Sequence, residues 1–326
     1  MLPALLTAGL VALLLSQISL TEVIALLAGV SLPWLAMGVL CYVAVNVCRA
    51  FRFAHLLPFR SGRFLTLLAI AFALSMFNNV LPSRTGELTF IYMMRDQHDV
   101  PAGEAAAVLA VARIFDYLTV AALFVIVAIF SLSRLPDYAL WVILTAAFFM
   151  LLAATMLASI PWLGQRGMTL AERLLSHRRL AGMKISAVIL RVGHRAVEAF
   201  QAIHSRRAYG VAGFWSLLIW LGTFAWFWAF LAGIGIRTSP AEMIVGATFA
   251  VLSKAIPFVT IGGLGTHEAG WALGFMLVGF EKRTAIASGF AVNILTLLAS
   301  LLCGGLGLAG LSLARRWKQH HREIST

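Results

Sequence analysis

Apolar stretches of about twenty residues recur from one end of this chain to the other. They fall near residues 2–18, 32–50, 64–81, 105–132, 139–160, 208–233, 241–258, 267–280 and 284–312. A hydrocarbon core of roughly 30 Å takes about 20 helical residues to cross. Inside it every backbone N–H and C=O must be satisfied internally, so helices are the economical solution. The expected fold is therefore all-α, a polytopic helical membrane protein. Composition agrees: of 326 residues, 61% are hydrophobic and 12% charged, against about 25% charged in soluble proteins.

The net charge of +12 does not call for nucleic acid, because the cations are grouped. Nine Lys/Arg and two acids lie between Pro161 and Arg207; four arginines lie between Arg49 and Arg63, and three arginines and a lysine between Arg315 and Arg322. This is the pattern of cytoplasmic loops beside anionic lipid. If every apolar run crossed, the large basic segment would land on the wrong side. The conflict disappears if residues 64–95 and 241–280 dip into the membrane and return. About six full spans and two re-entrant hairpins then remain, with both termini cytoplasmic in a cell (inner) membrane. Residues 2–18 are read as the first span rather than a signal peptide, since no Lys or Arg precedes Arg49 to supply a basic leader.

The two dips resemble each other. "LPSRTGE" (Pro82, Gly86, Glu87) and "IPFVTIGGLGTHE" (Pro257, Gly262, Gly263, Gly265, Glu268) each run from a proline break to glycine and glutamate. Beyond each lies a helix with polar residues, and "AAAVLAVARIF" from Ala105 aligns without a gap on "AIASGFAVNIL" from Ala285, setting Arg113 opposite Asn293. Inverted halves with broken helices are the sequence pointer to a transporter-type site. A single membrane domain over residues 1–326 is expected, with pseudo-repeat halves at about 32–160 and 208–312. Between them lies a basic amphipathic segment, 161–207, on the cytoplasmic surface.

Two signatures carry a family resemblance: Leu81, Pro82, Arg84, Gly86 and Glu87 followed by Ala107, Arg113 and Asp116, and Ile256, Pro257, Gly262, Gly263, Gly265 and Glu268. On these the chain resembles the lysylphosphatidylglycerol synthase transmembrane-region, or flippase-like, family. The resemblance implies an all-helical inner-membrane protein that handles a lipid: an aminoacylated phospholipid, a polyprenyl-linked sugar or a hopanoid-type lipid. It does not imply lysyl transfer, because only fourteen residues follow Ser312, too few for the soluble transferase domain of the full synthases. Two positions depart from the family pattern: Asn293 stands where arginine is common, and His267 precedes the glutamate.

Residue by residue, Arg113 and Asp116 share a helix face. They read either as an anion-binding arginine oriented by its aspartate or as a structural ion pair, and in neither case facing lipid. Arg84 would offer a guanidinium fork to phosphate, with Glu87 binding an amine, relaying protons or neutralising it; the alternative is an ordinary loop. Asn78 and Asn79 would be supporting donors or a simple turn. Gly263 and Gly265 permit a backbone nest for an anion, or a plain flexible turn. Lys254 would seek a carboxylate or phosphate, or snorkel to an interface. His267 beside Glu268 points about 100° away on a helix, so a metal pair is not expected. The cysteines (Cys41, Cys48, Cys303) form no Cys-x-x-Cys pair, and no cofactor is expected. The aromatic run at residues 214–230 reads as lipid-facing, and Gly304, Gly305, Gly307 and Gly310 as close helix packing.

The expected function is intramembrane lipid transport by a non-enzyme. The substrate would be a lipid with an anionic or aminoacylated head group. The alternatives are a membrane-embedded transferase, or a non-catalytic subunit that docks a lipid-biosynthetic enzyme.

Overall fold

In a computed structural model, residues 2–57, 64–81, 85–130, 206–253 and 263–324 are described, with isolated positions at 144, 148, 155, 166, 169, 173 and 198. Arg84, Lys254, the apolar run at 139–160 and all but a few positions of the basic segment 161–207 lie outside the described residues. Among the described residues the regular structure is ten helices: α1 (Leu2–Leu15), α2 (Leu20–Ala28), α3 (Leu32–Leu56), α4 (Phe64–Val80), α5 (Gly86–His98), α6 (Ala102–Phe130), α7 (Arg206–Gly233), α8 (Pro240–Ser253), α9 (Thr266–Leu277) and α10 (Lys282–Ile324). Four of these, α3, α6, α7 and α10, are long and apolar enough to cross a membrane. The chain is a polytopic helical membrane protein.

Local chemistry sets several boundaries. The first apolar run does not make a single straight crossing. It stops at Leu15 and turns by 84° into α2, whose first turn is capped by Ser19 Oγ accepting from the Glu22 N–H at 3.3 Å. An α1 of 14 residues is about 21 Å long, short of the bilayer core. Helix α8 opens with a reciprocal capping box: the Ser239 N–H donates to Glu242 Oε2 at 2.8 Å, and the Glu242 N–H donates to Ser239 Oγ at 3.2 Å. Helix α5 ends where Asp99 takes a left-handed conformation, φ 56°. Pro101 follows, and the chain can then begin α6.

Helices α4 and α5 have 17 and 13 residues, and α8 and α9 have 14 and 12. At 1.5 Å per residue their described lengths are about 18–25 Å. Each pair is wedged against the same two long helices with the arms exchanged. Helix α4 lies on α10 and α5 on α6, whereas α8 lies on α6 and α9 on α10. The correspondence extends further, with α3 and α7 packed on each other at the centre. Contacts of α3 with α4 match those of α7 with α8, and contacts of α6 with α7 match those of α10 with α3.

Lipid tails are as apolar as leucine, so helix association in a bilayer relies on close contact and small residues rather than on the hydrophobic effect. Helix α9 crosses α8 so closely that a Cβ on Gly274 would run into the Gly246 carbonyl oxygen. Gly304 and Gly307 face Met76 and Ala69 of α4, as expected for close packing, but among the described residues no heavy atom lies within 4 Å of a would-be Cβ on Gly305 or Gly310. The aromatic run is also corrected. Trp226, Phe227 and Phe230 are buried in the core and only one edge of α7, with Phe214, Leu217, Leu218 and Leu221, is exposed. A helix that is apolar all round shows no periodicity from which to read its buried face.

Candidate functional site

Helix α3 supplies the centre of the site. Asn46, Arg49 and Arg52 recur at intervals of three, and Tyr42 lies one turn before Asn46, so all four share one side of an otherwise apolar helix. Arg52 is only 2% exposed. Its Nη1 donates to Asp116 Oδ1 at 2.6 Å and to Ser216 Oγ at 2.7 Å, and its Nη2 donates to Asp116 Oδ2 at 3.3 Å. Trp220 adds a donor from α7, Nε1 to Asp116 Oδ1 at 3.2 Å. Arg113, one turn before Asp116, lies with Nη1 3.5 Å from Oδ2 and donates from Nε to Glu87 Oε1 at 2.7 Å. Four helices, α3, α5, α6 and α7, thus meet through one chain of charges.

The cluster is graded in exposure. The Arg52–Asp116 side chains are 2% and 6% exposed, while Arg113 and Glu87 are each 27% exposed. The inner pair is the anchor, since removing one member would leave an uncompensated buried charge at a cost of about 3–5 kcal/mol. The outer pair is the more exposed part of the cluster. Arg49 completes the group differently. It donates to Ser75 Oγ at 2.6 Å and to Asn46 Oδ1 at 3.4 Å, both neutral, and among the described residues no carboxylate lies within ion-pair distance of it. Three guanidinium groups therefore face two carboxylates.

The second half of the chain builds a related arrangement with an amide as the side-chain donor. Glu268, in the first turn of α9, is fully buried. Its Oε1 accepts from Asn293 Nδ2 at 2.7 Å and its Oε2 from the Gly265 N–H at 2.6 Å. Gly265 has φ 85°, a conformation that side chains with a Cβ rarely take, and this aims its N–H at the carboxylate. The anion held by the glycine turn is thus the chain's own Glu268. A separation of 26 residues links Glu87 to Arg113, and 25 link Glu268 to Asn293. The same kind of contact is made twice, with arginine as the donor in one half and an amide in the other.

The expected site residues are therefore gathered into two sets, Glu87, Arg113 and Asp116 in one and Gly265, Glu268 and Asn293 in the other. Aromatic rings run between them: Tyr42 lies 4.9 Å from Trp226, Trp226 5.3 Å from Phe227, and Phe227 6.1 Å from His267. His267 is buried and flanked by Trp271 at 5.9 Å. Gly263, φ 72°, accepts at its carbonyl from Thr266 Oγ1 at 3.0 Å. Asn78 Oδ1 is buried without a hydrogen-bond partner among the described residues, and Asn79 is half-buried at the end of α4.

Sequence reasoning missed Arg49, Arg52, Ser75, Ser216 and Trp220. The charge rule places the two arginines in a cytoplasmic loop, yet α3 continues to Leu56 and carries both into the protein. The signal was present as the triplet spacing of Asn46, Arg49 and Arg52.

Among characterised proteins, glycosyltransferase AglD of Haloferax volcanii is 26% identical over 335 aligned residues. The alignment takes in 93% of this chain and 53% of that protein, so the chain spans about half the length of this relative. No solved structure matches the chain. The family model of the lysylphosphatidylglycerol synthase TM region matches residues 1–304, and the chain belongs to that family.

Proposed function

We propose that this protein carries a lipid with an anionic or aminoacylated head group between the leaflets of the cell (inner) membrane, leaving the lipid chemically unchanged. The observation that carries this reading is the Glu87–Arg113 pair. Arg113 is the twelfth residue of a 29-residue helix, about 16 Å from its start, yet both partners are 27% exposed. Charged groups at such depth face the protein interior or a water-filled cavity and mark substrate paths. Arg113 would bind an anionic head group and Glu87 an amine, so the pair opens around a ligand that satisfies both. The expected contributions of Arg84 and Lys254 belong to the same proposal.

The surrounding architecture supports this reading. We interpret α3–α6 and α7–α10 as inverted pseudo-repeats, with α4–α5 and α8–α9 as re-entrant hairpins entering from opposite faces. The exchanged contacts of the two hairpins and the paired Glu87–Arg113 and Glu268–Asn293 bonds both favour it. With about six full spans, both termini are cytoplasmic. Rocking of the halves about the central α3–α7 contact would turn the charged cluster toward each leaflet in turn. An apolar cavity of about 230 Å³, lined by Leu221, Phe224, Trp228, Met243 and Ile244, begins at the residue after Trp220 on α7. It is smaller than the roughly 300–1,000 Å³ of small-molecule pockets and suits a length of hydrocarbon chain beside the head-group site.

A second reading is favoured by the relative's name: this region forms the membrane part of a lipid glycosyl-transfer system, or docks such an enzyme. Reconstitution into liposomes separates the two. A carrier moves head-group-labelled lipid between leaflets at constant lipid mass, and Arg113→Ala abolishes this in folded protein. A change in lipid mass supports a transferase; neither movement nor mass change supports a docking subunit and refutes transport.

A further inference from the structure

We propose that Arg49 is the phosphate-binding group of this site, so that the lipid it takes is one with a phosphate or phosphodiester in its head group. The inference rests on the lipid-carrier reading but is carried by a different observation, the imbalance of charge around α3. Arg52 and Arg113 each have a carboxylate, at 2.6 and 2.7 Å. Arg49 has only the Ser75 hydroxyl and the Asn46 amide oxygen, although Arg52, Arg113 and Asp116 are its electrostatic neighbours. Among the described residues, a group of three cations and two anions set among apolar helices leaves one positive charge without a counter-ion. Charges taken from water are costly unless paired, and such a departure from local consistency marks functional positions.

The geometry also suits an anion. Ser75 Oγ lies 2.6 Å from Asn46 Oδ1 and 2.9 Å from the Ala71 carbonyl oxygen. The Ser75 hydroxyl proton can therefore turn from an internal acceptor to a ligand oxygen. One nitrogen of Arg49, Nη1, holds both protein contacts, leaving the rest of the guanidinium fork to take phosphate oxygens, the geometry for which arginine is the preferred residue. Arg113, an electrostatic neighbour of Arg49, would join it on the anion, and Glu87, released from Arg113, would take a positively charged part of the head group.

The test uses the full chain purified in a neutral detergent. Thermal unfolding is followed during titration with dioctanoyl phosphatidylglycerol, with dioctanoylglycerol (the same tails without phosphate), and with inorganic phosphate. Wild-type protein should be stabilised saturably by the phospholipid and not by the neutral lipid. Arg49→Gln should weaken that binding at least tenfold. Without lipid it should unfold at the wild-type temperature or above, because it removes an unbalanced charge, whereas Arg52→Gln should unfold earlier. Arg49→Lys, which keeps the charge but not the fork, should fall between wild type and Arg49→Gln in affinity. Unchanged affinity in Arg49→Gln overturns the proposal, as does a loss of stability equal to that of Arg52→Gln, or failure to fold, either of which makes Arg49 structural. Arg49-dependent stabilisation by inorganic phosphate as strong as by the phospholipid assigns the site to free phosphate and overturns its lipid half. Transport is scored separately: lipid movement that survives Arg49→Gln sinks this assignment alone, whereas Arg49-dependent binding without movement sinks only the carrier reading.

Discussion

Asp116→Asn removes one negative charge while keeping the shape of the side chain, and it falls on the most buried part of the cluster. Arg52 is 2% exposed and directs both η nitrogens at Asp116, at 2.6 and 3.3 Å. The asparagine carbonyl can still accept from Arg52 or from Trp220. Its amide group, however, must then turn N–H toward a second guanidinium N–H. Breaking a buried pair costs about 3–5 kcal/mol. The retained acceptor and the Glu87–Arg113 pair, which stays intact, place the expected loss near the lower limit. About 3 kcal/mol corresponds to roughly a 150-fold change in the folding equilibrium at 1.36 kcal/mol per tenfold. The assay is unfolding of the purified protein in mixed micelles with increasing denaturing detergent. A double-mutant cycle with Arg52→Met and Asp116→Leu isolates the pair, and the double variant should be far less damaged than the two single variants added together, with a coupling of at least about 2 kcal/mol. A loss under about 1 kcal/mol for Asp116→Asn, or additive single effects, would refute the view that this pair anchors the site.

Three further outcomes follow from the packing. A Cβ on Gly86 would stand 2.6 Å from Asn78 Oδ1 and 2.7 Å from the Asn78 nitrogen, so Gly86→Ala must push the start of α5, and Glu87 with it, away from Arg113. Lipid movement in liposomes should drop at least about tenfold, since misplacement by about 1 Å can cost a hundredfold, while circular dichroism keeps its helical signal. Gly274→Ala meets backbone at Gly246, whereas Gly305→Ala meets open space. Thermal unfolding should show a loss of about 1–3 kcal/mol for the first and a change within about 0.5 kcal/mol for the second. Trp220→Phe deletes the donor to Asp116 at 3.2 Å and keeps an aromatic ring facing Phe224; unfolding in mixed micelles should show a loss of about 1 kcal/mol.

The class of fold could be read directly, because a bilayer admits few solutions to runs of twenty apolar residues. The matching of Arg113 with Asn293 was also legible. It follows from the ungapped alignment of the two segments beyond the dips, and each residue does hold the glutamate that precedes it by about 25 positions. What could not be read was rotation about a helix axis. Residues 214–230 are apolar on every side, so nothing in them says that Trp226 and Phe230 turn inward. Arg49 and Arg52 were lost for the converse reason. A rule that sorts cations by loop treats every arginine near a helix end as solvated, but α3 continues to Leu56 and its third polar residue finds an aspartate 64 positions away. Partners at such a separation leave no local trace. The 84° turn after Leu15 shows the same limit, since residues 16–19 carry no proline or glycine to mark a break.

The claim that a charged head-group site is reached from both leaflets is tested most directly by side-specific labelling. Thr85, exposed at the start of α5 two residues before Glu87, is changed to cysteine in a chain whose three native cysteines have been replaced. The protein is reconstituted in liposomes of known orientation and treated with a membrane-impermeant thiol reagent, added in turn to the outside and to the lumen. Alternating access requires modification from both sides, slowed on each when transported lipid is added. Modification from one side only, at a rate that lipid does not alter, would show a fixed surface loop and contradict transport through this site.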